Sequence, residues 1–176
     1  MCWLLPLLML LGCPSVVPDD PTAGPKVRMD FDGGFWDAPL PSAHRMGDAV
    51  DLTGFPNPDG VGLVDDLLAL ADGVLEGAGT TSGVFFRLEV PPDEATLPDL
   101  RGSLQGGAAV FLVGVQPGSP DFGVRVPVDV RYTVNAAPFG PTDLLSILPL
   151  QGRPLRSETA YAAVITRDLR DRGGAR

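Results

Sequence analysis

The chain changes its hydrophobic rhythm along its length. Residues 61–77, VGLVDDLLALADGVLEG, place Val61, Val64, Leu67, Leu68, Ala71, Val74 and Leu75 at three- and four-residue spacing. That spacing predicts a helix with one apolar stripe. Asp59 stands where an N-cap would, and Asp65 and Asp66 sit in an early turn where the helix dipole favours acids. Gly77 and Gly79 supply a stop.

After Thr81 the period shortens. Residues 83–90, GVFFRLEV, predict a strand ended by Pro91 and Pro92, which cannot continue a ladder. Residues 108–115, AAVFLVGV, form a near-continuous apolar run suited to a central strand buried on both faces. Residues 124–133 alternate strictly, with Val124, Val126, Val128, Val130 and Tyr132 on one face and Arg125, Pro127, Asp129, Arg131 and Thr133 on the other. Pro127 within that run points to an edge or a bulge. Residues 144–150 and 159–166 complete the set. Short strands separated by Gly/Pro turns predict a mostly-β fold, an antiparallel β-sandwich with one N-terminal helix.

Neither period persists over residues 26–58, where Phe31, Phe35, Trp36 and Phe55 alternate with Pro and Gly. An extended strap pinned to a neighbouring surface by its aromatics is expected there, because unfolded linkers seldom carry so many large apolar groups.

Residues 3–11, WLLPLLMLL, are the most apolar run. A membrane-spanning helix needs ~20 such residues, whereas a signal-peptide core is this short. Gly12 and Cys13 follow, then a polar, Pro-rich stretch. Leu10, Leu11, Gly12 and Cys13 resemble the lipobox of bacterial lipoproteins, and that resemblance implies a diacylglyceryl group on the Cys13 sulfur and cleavage before it. Two other readings stand beside it: a buried free thiol on a short apolar strand, and a Cys2–Cys13 disulfide. The disulfide ranks last, since it would close an apolar loop with little to pack on. No Lys or Arg precedes the apolar core, so either the signal is atypical or its start lies upstream. The lipoprotein reading divides the chain into a signal peptide (1–12), a tether (13–25), the strap with its helix (26–80) and a β-sandwich (81–176). It places the protein in a bacterial cell envelope, held to a membrane through Cys13.

Composition narrows the function. The chain has 176 residues, 44% apolar, with 22 Gly and 19 Pro, enough for one packed domain rich in turns. The net charge of −9 opposes nucleic-acid binding. Residues 19–99 carry 16 acids and 4 bases, whereas residues 100–176 carry 6 acids and 9 bases, so the halves present different surfaces.

Residues 149–176 resemble the last part of the bacterial Ig-like module of surface-layer and secreted proteins. Leu155, Thr159, Tyr161, Val164, Ile165, Asp168, Asp171 and Gly173 take the module's places. The resemblance implies an Ig-like sandwich, and Tyr161, at the start of a strand after a turn, suits a tyrosine corner. In that family a further closing strand follows the Asp-containing turn in which this sequence stops. Either another chain order closes the sandwich or the chain is cut short, which would leave an exposed edge. The FWDAPLPSAHRMGDAVDLTGFPNP stretch, the helix and GTTSGVFFRL resemble the N-terminal region of secreted lipase-like α/β-hydrolases. The alternative function is therefore the non-catalytic N-terminal part of such an enzyme.

Candidate chemistry is sparse. There is no Gly-x-Ser-x-Gly elbow around Ser42, Ser82, Ser103, Ser119, Ser146 or Ser157. His44 is the only histidine, so a triad would have to use it, and a stand-alone esterase is the third function considered. Asp30, Asp32 and Asp37 lie close in DFDGGFWD, without the spacing or closing glutamate of a calcium loop. A turn whose carboxylates cap nearby N–H groups is the preferred reading. GAGTTSG (77–83) has no lysine and is no phosphate loop. The expectation is a non-catalytic envelope protein with no metal and no cofactor, and Cys13 as its one functional residue.

Overall fold

The computed structural model describes residues 24–174. Cys13, the apolar run before it and most of the tether lie outside the described residues. The elements run α1 (Gly62–Ala71), β1 (Val84–Arg87), β2 (Val110–Gly114), β3 (Arg125–Val126), β4 (Val128–Asn135), β5 (Thr142–Pro149) and β6 (Tyr161–Ile165), with short 3-10 turns between them. The strands form two antiparallel three-stranded sheets, ordered β1-β5-β4 and β3-β2-β6. Among the described residues the fold is mostly β with a single helix, as the alternation predicts.

Pro127 divides the run expected to be one strand. Val126 pairs with Leu112 in one sheet, whereas Val128 pairs with Pro149 in the other. Proline has no N–H to give a ladder, so pairing with β2 stops there. The Pro127 carbonyl instead accepts from the Leu150 N–H at 3.0 Å, which starts the β4–β5 ladder. The chain thus passes from one sheet to the other across one residue. The alternation survives the switch, and Val128 and Val130 are buried.

The two sheets share one core, in which Leu88, Val110, Leu112, Val128, Leu145, Ile147 and Leu169 are buried together. Each such side chain taken from water contributes roughly 1.5–3 kcal/mol. β2 is central in its sheet, but only one of its faces is fully covered. Val110, Leu112 and Gly114 are buried, while Phe111 and Val113 are half-exposed. The Arg125 guanidinium lies 3.6 Å over the Phe111 ring on that outer face.

The helix is shorter than its periodicity suggests. It ends at Ala71, because Gly73 turns the chain with φ +69° before Gly77 is reached. Its N-cap is Val61, not Asp59. Asn57 does the capping work from outside: its Oδ1 accepts from the Val61 N–H at 2.9 Å, and its Nδ2 donates to Asp65 at 2.8 Å.

The strap lies along the outer edge of β1. Leu40 and Phe85 exchange both backbone hydrogen bonds, at 3.0 and 2.7 Å. The Arg28 N–H donates to the Arg87 carbonyl and the Glu89 N–H to the Lys26 carbonyl, both at 2.8 Å. Phe35, Trp36, Phe55, Phe85 and Phe139 form one aromatic cluster with centroid separations of 5.1–6.5 Å. The indole N–H of Trp36 donates to the Phe139 carbonyl at 2.8 Å, which fixes the strap to the β4–β5 loop.

Candidate functional site

The most exposed apolar surface is on α1. Val64, Leu68 and Ala71 turn toward the strap and are half-buried. Leu63, Leu67 and Leu70 face solvent, with Leu70 72% exposed, and Val74, past the helix end, is exposed beside them. No residue of the helix is buried. The part of the predicted stripe that lies on the helix is only half-covered, and its last members, Val74 and Leu75, fall beyond the helix end. Leu52, Phe55, Val64, Leu67, Leu68, Ala71 and Phe139 line a hollow of about 360 Å³ between helix and aromatic cluster. Asp65, Asp66, Asp72 and Glu76 stand around this apolar ground and are all exposed. A patch of this kind, rimmed by charge, is the usual form of a protein contact surface.

A second, polar hollow of about 330 Å³ lies at the other sheet, lined among others by Asp121, Arg125, Arg153, Arg156 and Tyr161. Its acid is already committed. The Tyr161 hydroxyl donates to the Asp121 carboxylate and accepts from the Arg156 N–H at 3.1 Å. The Arg156 guanidinium is 3.5 Å from the same carboxylate. The Tyr161 hydrogen bond, then the arginine charges, hold the Asp121 carboxyl below the ordinary carboxylate range. Burial, then the Asp121 bond, raises the Tyr161 phenol. This is a tyrosine corner reinforced by an acid 40 residues upstream, and it fastens loop to strand.

The acids of DFDGGFWD also serve the fold. The Asp37 carboxylate accepts from the Gly34 N–H at 2.9 Å and lies 2.8 Å from both Arg28 and Arg87. The Gly34 bond, then the two arginines, depress its carboxyl below the usual range. Asp30 accepts from the Asp32 N–H at 3.2 Å, closing the turn. Among the described residues, no three His, Cys, Asp or Glu side chains gather to hold a metal ion.

His44 is exposed in a 3-10 turn, its ring 5.0 Å from that of Phe31. The buried hydroxyl of Ser42, two residues before it, has no hydrogen-bond partner, so the histidine does not activate that serine. Ser103 is buried between elements, donating to the Leu100 carbonyl at 3.0 Å and accepting from the Val128 N–H at 3.2 Å. Cys13 falls outside the described residues. Among the described residues, no helix is long and apolar enough to cross a membrane.

These features define a mostly-β domain carrying an apolar, acid-rimmed helix. No protein-family model matches the chain, and comparisons with curated proteins and with solved structures give no significant match.

Proposed function

We propose that the chain is a lipid-anchored protein of a bacterial cell envelope, whose Ig-like β domain acts by binding and not by catalysis. Strand order supports the Ig-like part. β1, β5 and β4 stand where strands B, E and D of that sandwich lie, and β2, β6 and β3 where C, F and C′ lie. The strap segment beside β1, where Val27 bridges Leu88, takes the place of strand A. The anchor rests on Leu10, Leu11, Gly12 and Cys13. Two or three acyl chains on Cys13 would hold the protein durably, since each buried CH₂ contributes ~0.8 kcal/mol.

The observation that carries the binding reading is the exposed row Leu63, Leu67, Leu70 and Val74 beside the apolar hollow. Its acidic rim disfavours anionic headgroups and fits a protein with an apolar patch ringed by Lys or Arg. Two measurements test the proposal. Cys13→Ala abolishes labelling by an alkyne-bearing fatty acid and releases the protein from membranes; a variant that is still labelled or still membrane-bound refutes the anchor. A photo-crosslinking residue at Leu70 gives a protein adduct in cells, weakened by Asp66→Lys, whereas one at Arg131 gives none. Equal yields at both positions refute the binding surface.

A further inference from the structure

The two sheets have four edges, and three are guarded. The outer edge of β1 is paired with the strap through Arg28, Leu40 and Glu89. β3 is two residues long and begins with Arg125. β4 carries Asp129 and Arg131, ion-paired at 2.7 Å, and gives the Val128 N–H to the Ser103 hydroxyl. Charges, short length and covering segments are the ordinary means of stopping sheet edges from pairing.

Among the described residues, β6 has none of these. Its sequence is Tyr-Ala-Ala-Val-Ile, with no charge and no proline. Among the described residues its one ladder partner is β2. The Thr166 N–H donates to the Ala109 carbonyl at 2.8 Å and the Val115 N–H to the Ala160 carbonyl at 2.9 Å. These bonds fix the alternation, so Tyr161, Ala163 and Ile165 turn their N–H and C=O groups away from β2. The side chains of the same three residues pack against the core yet stay half-exposed. One added strand would therefore meet backbone groups that no described residue pairs, and cover the open flank of the core together.

We infer that the β6 edge is where two copies of this chain pair, antiparallel, about a two-fold axis through Ala163. Self-pairing suits this strand for three reasons. An antiparallel pair is isologous, so one edge supplies both sides and the assembly closes at two. Centred on Ala163, the register sets its N–H and C=O against those of Ala163 in the second copy. It also sets Tyr161 opposite Ile165, an aromatic–β-branched pair made twice. With no charge between Tyr161 and Ile165, no like charges meet across the ladder. The result is a six-stranded sheet ordered β3-β2-β6-β6-β2-β3.

The test uses the full chain in detergent, with Cys2 and Cys13 replaced by alanine and one new cysteine added. Ala163→Cys forms an intermolecular disulfide under mild oxidation, and Thr133→Cys on β4 does not. By sedimentation the parent chain is a dimer at micromolar concentration. Ala163→Pro removes only the N–H that points away from β2, and it weakens the dimer on the order of tenfold or more. Ala162→Lys, which adds a charge at the edge and leaves the core untouched, does the same, with an unchanged thermal midpoint at concentrations where both chains are monomeric. A monomeric parent, equal crosslinking from Thr133→Cys, or dimerisation unaffected by both edge variants overturns the inference. A monomer that gains a strand only from a different protein counts among those refuting results.

Discussion

The Tyr161 hydroxyl accepts from the backbone N–H of Arg156, five residues upstream, at 3.1 Å while donating to the Asp121 carboxylate. One phenol thereby joins the start of β6, the loop before it and the loop before β3. Tyr161→Phe keeps the ring and removes both bonds. The expected loss is about 1 kcal/mol at neutral pH, read from chemical denaturation. The pH dependence has a definite sign. The Asp121 pKa is depressed in the folded state, so its contribution is present above the unfolded carboxylate pKa and is lost as pH falls through the folded value. The gap between wild type and Tyr161→Phe therefore narrows below the ordinary carboxylate range. A carboxyl resonance of Asp121 that titrates at the same pH in both proteins would show that the phenol does not set it.

Gly114 is the partner of Tyr161 in the β2–β6 ladder. A Cβ at this position would sit 2.1 Å from the Asp121 carbonyl oxygen, inside backbone that cannot swing aside. Gly114 thus lets the Asp121 loop come close enough for its carboxylate to reach the phenol. Gly114→Ala is expected to destabilise the domain by roughly 2–3 kcal/mol. Gly107→Ala, with open space around the added methyl, is the matched control and leaves stability within about 0.5 kcal/mol. Equal midpoints for the two variants in urea would disprove the close approach.

How far these features could be read in advance depends on how local each one is. The alternation of Val124 to Tyr132 encodes its face directly, and the corner needs only the six residues from Arg156 to Tyr161. The acid that completes the corner is invisible, because Asp121 is 40 residues away and nothing local marks it. Pro127 announces a break but cannot say that the strand beyond it joins the other sheet; that depends on which strand waits there. The helix shows the opposite failure. Periodicity reports which side chains share a face, and it says nothing about whether another element covers them. Hence the spacing puts Leu67 and Leu68 on one stripe of the helix but cannot show that Leu67 is left exposed or that Val74 falls beyond the helix end. The N-cap was missed because Asn57 acts from a Pro-Asn-Pro loop four residues before Val61.

The strap is fastened by Asp37 as well as by its aromatics. Asp37→Ala leaves Arg28 and Arg87 beside one another and frees the Gly34 N–H. A loss of about 1–3 kcal/mol is expected, charge-assisted bonds being the stronger kind. Since the folded Asp37 pKa is depressed, the same contribution disappears in wild type as pH falls through it, so wild type converges on the variant in acid. Amide exchange locates the damage. Arg28 and Leu40, whose N–H groups bond to β1, should lose protection, while Ser146 in the β4–β5 ladder keeps it. Uniform loss across both sheets would mean that the strap and the sandwich unfold as one unit.

The two faces of α1 make the sharpest separation between folding and binding. Leu68 is half-buried over the hollow, whereas Leu67 and Leu70 are 55% and 72% exposed. If the outer row exists for a partner, charge there should cost the fold almost nothing. Leu67→Glu with Leu70→Glu is expected to leave stability within about 0.5 kcal/mol per site, because glutamate is as good a helix former as leucine. The same pair should abolish the binding of an apolar fluorescent dye to the helix. Leu68→Ala should behave in reverse, losing roughly 1–2 kcal/mol, less than a fully buried leucine would, while dye binding persists. The comparison decides what the row is for. A strongly destabilised double glutamate variant would mean that Leu67 and Leu70 hold the domain together, and the helix would then be a poorly covered piece of core. A stable variant that no longer binds leaves contact with another molecule as the reason for four large apolar side chains in water.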